Sequence, residues 1–226
     1  MLYLHGVSNT RAYSHRVGLY KVLLGLGYRV LAIDYRGFGD SDKVDITEDT
    51  VVEDAMAAME WMRNKIEDHE KIVVWGHSLG AAIACRATAE EEKNNSLNHR
   101  IETLVLESPF NNLHDEIQDV VFKSRGKIPS VVGAMLPVSK QLQAASIEFS
   151  SDIWIRAIRT DTVILHAQDD QTIDIRLGKN LYEAAREHGK KNIEIVIFEA
   201  ALKLGHNYIF TNEQFPFIIQ KYIEKN

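Results

Sequence analysis

Residues 71–82 read KIVVWGHSLGAA: a strand-like apolar run, a serine with glycine two positions to either side, and then small apolar residues at helical spacing. Glycine on both sides is required where a chain turns so sharply that a side chain on either neighbour would collide across the bend. A strand-to-helix turn of that kind lifts the Ser78 hydroxyl off a sheet edge and sets it at a helix N-terminus, where peptide dipoles favour negative charge. The five-residue pattern Gly76-His77-Ser78-Leu79-Gly80 is short, and its context gives it weight: Leu79, Ile83 and Ala87 continue one helical face. The plainer alternative makes Ser78 a helix N-cap between flexible glycines.

The rest of the chain has the rhythm that such a turn needs. Strands are expected at 2–4, 28–33, 71–75, 101–106, 162–167 and 193–198, β-branched and largely without alternation, as in parallel strands covered on both faces. Helices are expected at 15–26, 48–68, 79–92, 174–188 and 213–224, the second with Val52, Met56, Met59 and Ile66 on its apolar face. Strands alternating with helices predict an α/β fold, a mostly parallel sheet flanked by helices over a single domain, 1–226. Residues 108–160 break the alternation and carry Pro129 and Pro137, so an inserted cap is expected between the strands near 106 and 162. The opening LYLHG reads like the middle of a sheet, and N-terminal strands are expected to be missing.

A serine hydroxyl attacks only when a base takes its proton and an acid orients that base. On a parallel sheet these partners belong at the carboxyl ends of later strands. TVILHA is followed by Asp169 and Asp170, and IEIVIF by EAALKLGHNY with His206, in the order serine, acid, histidine. Asp170, four residues after His166, is the favoured acid, and Asp169 is expected to cap local N–H groups. His166 and His77 read as structural, with Gly76, His77 and Gly80 shaping the turn; the other histidines have no acid at a useful place. An oxyanion would take its backbone donors from the Leu79 N–H and from Val7 after the first strand, with Gly6 allowing close approach. The plainer reading of His5-Gly6 is a simple turn.

At 226 residues and net charge −6 the chain lacks the basic balance of a nucleic-acid binder. It has no run long enough to span a bilayer and no charged-then-apolar leader. Cys85 is the only cysteine, and no cluster has metal-ligand spacing, so neither metal nor cofactor is expected. DYRGFGDSD (34–42) lacks the spacing of a phosphate loop and is expected at the pocket rim.

On these residues the chain resembles the α/β-hydrolases, and within them the membrane-associated abhydrolase lipases that act on lysophosphatidylserine and monoacylglycerol. YLHG, HRVGLYKVLLGLGYRVLAIDYRGFGDS, WGHSLGAAIA, LESPFNN, ILHAQDD and GHNYIF carry the resemblance. It implies the α/β-hydrolase fold, Ser78, Asp170 and His206 as a catalytic triad, a lipid ester as substrate, and a longer form associated with the endoplasmic reticulum membrane. The chain as it stands reads as a soluble domain. Val7-Ser8 replaces the usual Asn-Ala, and Gln171 a frequent proline. The expected cap holds Lys123, Arg125, Lys127 and Lys140 with no acid between 122 and 140, which suggests peripheral contact with an anionic membrane. Two other readings stand beside a lipid esterase: a serine hydrolase of another ester, thioester or amide, and a non-catalytic truncated member. The sequence assigns no oligomeric state.

Overall fold

A computed structural model of the chain describes residues 1–44, 46–67, 69–94, 101–115 and 148–224. Six strands, β1 (Leu2–Leu4), β2 (Leu31–Ala32), β3 (Ile72–His77), β4 (Ile101–Glu107), β5 (Asp161–Ala167) and β6 (Ile193–Phe198), form one sheet in the order β2-β1-β3-β4-β5-β6. Every pairing is parallel. All carboxyl ends therefore lie along one edge, where the loops after β1, β3, β4, β5 and β6 meet.

The strands read as unbroken apolar runs because each face is covered. On one side Leu19 and Leu23 of α1 (Ser14–Gly25) and Phe215 and Ile219 of α6 (Phe215–Ile223) pack on Trp75 and Val105. On the other, α2 (Glu48–Arg63), α3 (Leu79–Asn94) and α5 (Ile175–Glu187) cover Val74 and Leu104. All six residues of β3 are buried, so the serine turn grows from the most enclosed part of the sheet.

Boundaries shifted where local capping outweighed periodicity. Helix α2 starts at a reciprocal cap between Thr47 and Thr50 and ends at Arg63 instead of 68, because the Lys65 and Ile66 N–H groups both return to the Met62 carbonyl. Strand β2 keeps only Leu31 and Ala32 of the expected 28–33, since the turn at Gly27 (φ +90°) occupies its start and β1 offers partners only to Leu31 and Ala32. After β4 the chain runs to Leu113, whose N–H donates to the Glu148 carbonyl at 3.1 Å, while Glu48 accepts from the Glu148 and Phe149 N–H groups. The two flanks of the expected cap thus meet beside α2. Lys123, Arg125, Lys127 and Lys140 lie outside the described residues. The short α4 (Ser151–Trp154) leads into β5. Among the described residues no helix is long and apolar enough to cross a membrane.

Candidate active site

The serine turn is fixed by backbone packing. A Cβ on Gly76 would lie 2.2 Å from the Gly80 carbonyl oxygen, and one on Gly80 would lie 2.0 Å from that of Leu4. Neither position accepts a side chain without moving the main chain. Ser78 is held at φ +56°, in the left-handed region that L-residues avoid. Its N–H donates to the Glu107 carbonyl of the adjacent strand at 3.0 Å, and its own carbonyl accepts from Ala81 at 2.8 Å. Ser78 is therefore anchored to β4 on one side and to the first turn of α3 on the other.

The loop after β1 closes over this turn. A Cβ on Gly6 would come within 3.2 Å of the Ser78 Cβ and 3.4 Å of His77 Nδ1, so glycine permits the approach that the sequence suggested. Val7 packs against the core beneath α2 and α3, and Leu79 is buried at the start of α3. Among the described residues neither the Val7 nor the Leu79 N–H has a hydrogen-bond acceptor.

The loops after β5 and β6 meet through side chains. His206 Nδ1 lies 2.7 Å from Asp170 Oδ2. A carboxylate only accepts, so Nδ1 carries the proton and Nε2 is left with its lone pair. The other oxygen, Asp170 Oδ1, accepts from the Thr172 and Ile173 N–H groups at 2.8 and 2.9 Å. Burial by itself would raise this carboxyl, but the nearby His206 and His166 rings outweigh it and hold Asp170 far below the usual carboxylate range. The bond from Ser78 Oγ to His206 Nε2 is not among the hydrogen bonds of the described residues.

Asp169 differs from its expected role. Both of its carboxylate oxygens lie 3.1 Å from the Gly205 N–H, so it reaches across to the loop of His206 and does not cap its own turn. The reason is adjacency: β5 and β6 are neighbours, and Gly205 at φ +53° turns its N–H toward β5. His166, fully buried in β5, donates from Nε2 to the Ile173 carbonyl at 3.1 Å and lies 3.4 Å from Asp170, a structural role as expected.

His77, read from the sequence as shaping the turn, also reaches the His206 loop, and Ser108 and Glu107 join it with no sign in motif spacing. His77 donates from Nε2 to the His206 backbone carbonyl at 2.9 Å, and the two rings sit 4.7 Å apart. Burial first, and then His206, push the His77 pKa well below its ordinary value, so the ring is neutral. Ser108, at φ +48°, adds a hydroxyl contact of 3.5 Å to the same carbonyl. Glu107 pairs with His77 across β3 and β4; its buried carboxylate accepts from Trp75 Nε1 at 2.9 Å, and burial lifts its pKa to about 7. The parallel register brings these side chains together, and register is invisible in single-residue spacing.

Among the other histidines, His5 lies beside an acid. Its Nε2 lies 3.1 Å from Asp34 Oδ1, and its Nδ1 donates to the Gly6 carbonyl at 2.7 Å. Burial still pushes the ring down to about 4, outweighing the carboxylate beside it. Asp34 opens the 34–42 loop and also accepts from the Arg11 N–H and guanidinium at 2.5 and 2.6 Å. Among the described residues no cluster of His, Cys, Asp and Glu is arranged to hold a metal ion.

Known proteins share both the sequence and the sheet. Zebrafish (Danio rerio) lysophosphatidylserine lipase ABHD12 is 33% identical over 231 residues, 99% of this chain and 57% of its own length. Human ABHD12B is 32% identical over 228 residues, 100% of this chain and 60% of its own length. The chain thus spans somewhat more than half the length of these curated relatives. Among solved structures, a Pyrococcus furiosus esterase superposes with a TM-score of 0.78 at 20% identity, covering 99% of this chain and 80% of that one. Esterase Est1E of Butyrivibrio proteoclasticus, with ferulic acid bound, gives 0.69 at 17% identity, covering 99% and 89%; at such identities these likenesses concern the fold alone. The α/β-hydrolase fold family matches residues 1–129, from the first strand through the serine turn and past β4. On a sheet of that architecture, a match of this extent gives the conclusion directly: the chain belongs to the α/β-hydrolase fold family.

Proposed function

We propose that this chain is a serine hydrolase that cleaves carboxylic esters of lipids through an acyl-enzyme on Ser78, with His206 as base and Asp170 as orienting acid. The observation that carries the reading is the 2.7 Å bond between His206 Nδ1 and Asp170 Oδ2, made at the sheet edge where Ser78 sits at positive φ. It fixes the tautomer whose Nε2 can accept a proton. Apo active sites often have looser contacts than the Michaelis complex, and the Ser78–His206 bond forms with substrate in place. His206 Nε2 takes the Oγ proton as Oγ bonds to the carbonyl carbon; it then returns that proton to the departing alkoxide as the ester C–O bond breaks. Water, activated by the same nitrogen, releases the acid and restores Ser78. The Leu79 and Val7 N–H groups would take the oxyanion.

The choice of ester rests on the relatives. A lysophosphatidylserine lipase at 33% identity favours single-chain lipids, monoacylglycerol and lysophospholipid. The insertion at about 108–160 is proposed as a cap whose basic residues contact anionic lipid at about 1 kcal/mol each.

A fluorophosphonate probe tests the core of the reading: it should label the protein and fail on Ser78→Ala. Lysophosphatidylserine and monoacylglycerol should then be hydrolysed faster than thioester or peptide panels. Labelling absent from the intact protein would overturn the assignment of Ser78, and faster turnover of thioesters or peptides would overturn the substrate class. Co-sedimentation that does not respond to phosphatidylserine content would remove the membrane contact.

A further inference from the structure

Arg16, in the first turn of α1, is 1% exposed, and among the described residues no carboxylate pairs with it. A buried cation without a counter-ion is costly, and an apolar side chain of similar length would fill the space without that cost. What the guanidinium meets instead is a row of backbone carbonyls in the loop after β1. Nη1 donates to the Thr10 oxygen at 2.6 Å; Nη2 donates to those of Ser8 at 2.7 Å and Gly6 at 3.2 Å. His5 Nδ1 adds a second donor to the Gly6 oxygen at 2.7 Å.

The peptides of this loop are trans, so each carbonyl held toward α1 turns the next residue's N–H the opposite way. Two of these peptides make an instructive pair. In one, the Thr10 carbonyl is held by Arg16, and the opposed Arg11 N–H meets Asp34 Oδ1 at 2.5 Å. In the other, the Gly6 carbonyl is held by Arg16 and His5, and the opposed Val7 N–H meets no acceptor among the described residues. The second peptide is the one against Ser78, where a Gly6 Cβ would come within 3.2 Å of the Ser78 Cβ. A donor pinned from behind and unmatched in front, beside an activated oxygen, is what an oxyanion requires. A cation on the carbonyl end also polarises the peptide and strengthens its N–H as a donor.

We propose that Arg16 is a positioning residue that aims the Val7 N–H at the reaction oxyanion by holding the carbonyl side of the 6–10 loop. The inference rests on the reading of Ser78 as nucleophile. Arg16→Met keeps the length of the side chain and removes the donors; Arg16→Gln and Arg16→Lys restore some of them. With p-nitrophenyl butyrate as probe ester, Arg16→Met should lose about a hundredfold in kcat with KM changed less than about threefold. Affinity for an alkyl trifluoromethyl ketone, which forms the tetrahedral oxyanion on the serine, should fall by the same factor as kcat/KM. Arg16→Lys should lie between Met and wild type on both scales. A merely structural role would lower thermal stability without moving the two scales together.

A folded Arg16→Met with wild-type kcat overturns the inference, and so does a loss confined to KM with ketone affinity unchanged. Should Arg16→Met not fold, the Lys and Gln variants are read on the same two scales; if none of the three folds, a role confined to the loop is wrong. Wild-type turnover that disappears in Ser78→Ala while Arg16→Met keeps full rate sinks this inference alone. An inert wild-type chain sinks the nucleophile assignment and this inference with it.

Discussion

The two halves of the candidate site are held by different forces. On the serine side, backbone packs on backbone: Gly76 against Gly80, Gly80 against Leu4, and Ser78 bent to φ +56° between them. On the acid–base side, polar side chains reach between loops: Asp170 to His206, Asp169 to Gly205, and His77 from β3 to the His206 carbonyl. Steric fixation is unforgiving and independent of pH. Hydrogen-bonded fixation is partly redundant and responds to charge. A nucleophile has to be presented from one spot, whereas a base has to move a proton and then return it, and the two constructions fit those tasks.

The largest effect should come from Asp170→Asn. The amide can still accept from Thr172 and Ile173, but it offers N–H to His206 Nδ1 where that nitrogen needs an acceptor. On the proposed mechanism kcat should fall about ten-thousandfold, or about 5 kcal/mol of barrier, with the fold retained. Steady-state ester hydrolysis and circular dichroism check this together. A loss under tenfold in a folded variant would show that the Asp170 bond does not govern the base.

Gly80→Ala attacks the other half. Its methyl meets the Leu4 carbonyl at 2.0 Å, which no side-chain rotation relieves, so stability should drop by about 3 kcal/mol or more. Urea unfolding with an unchanged slope reads the loss directly. A drop below about 1 kcal/mol would mean that this turn yields and that the contrast between the halves is weaker than the packing indicates.

The response to pH should come from buried titrating side chains: His77 at the end of β3, His5 in the loop after β1, His15 in α1 and Glu107 at the end of β4. Burial pushes His5 and His15 to about 4 and His77 well below its ordinary value, so near pH 5.5 the unfolded chain binds three protons that the folded chain refuses. Glu107 works against them: lifted to about 7 by burial, it holds a proton when folded that it releases on unfolding at that pH. The net is an uptake of about two protons on unfolding at pH 5.5, so stability should fall as pH drops from 7 toward 5. Thermal melts across that range measure the slope. His77→Gln, which can keep the contact to the His206 carbonyl without titrating, should reduce the uptake by about one proton. A flat profile would show that these rings do not differ in proton affinity between the two states.

The sheet and the serine turn could be read from sequence because their causes are local: unbroken β-branched runs, helical spacing after Ser78, and glycines where a Cβ has no room. The order of Ser78, Asp170 and His206 could be read because each follows its own strand. What could not be read depends on which strands are neighbours. His77 meets the His206 loop only because that loop reaches back to the end of β3, Asp169 reaches Gly205 only because β5 and β6 lie side by side, and Arg16 finds the 6–10 carbonyls only once α1 lies on the face bearing Trp75. Spacing along a chain carries no record of such meetings.

Asp169 offers the finest cut between the two halves, and its effect should be the smallest. Its carboxylate holds one partner, the Gly205 N–H, at 3.1 Å in a partly exposed position, so Asp169→Ala should cost about 1 kcal/mol of stability. Asp169→Asn keeps an acceptor and should cost less. The informative quantity is the rate. Because Asp170 and His77 each hold the His206 loop independently, losing the Asp169 strap should lower kcat by no more than about tenfold, through a loosened loop and with the tautomer intact. Were Asp169→Ala to match Asp170→Asn in kcat, the acid would be the other aspartate of the pair. The redundancy assigned to this half of the site would then be lost as well, since the bond from Asp170 would be doing no more than folding its own turn.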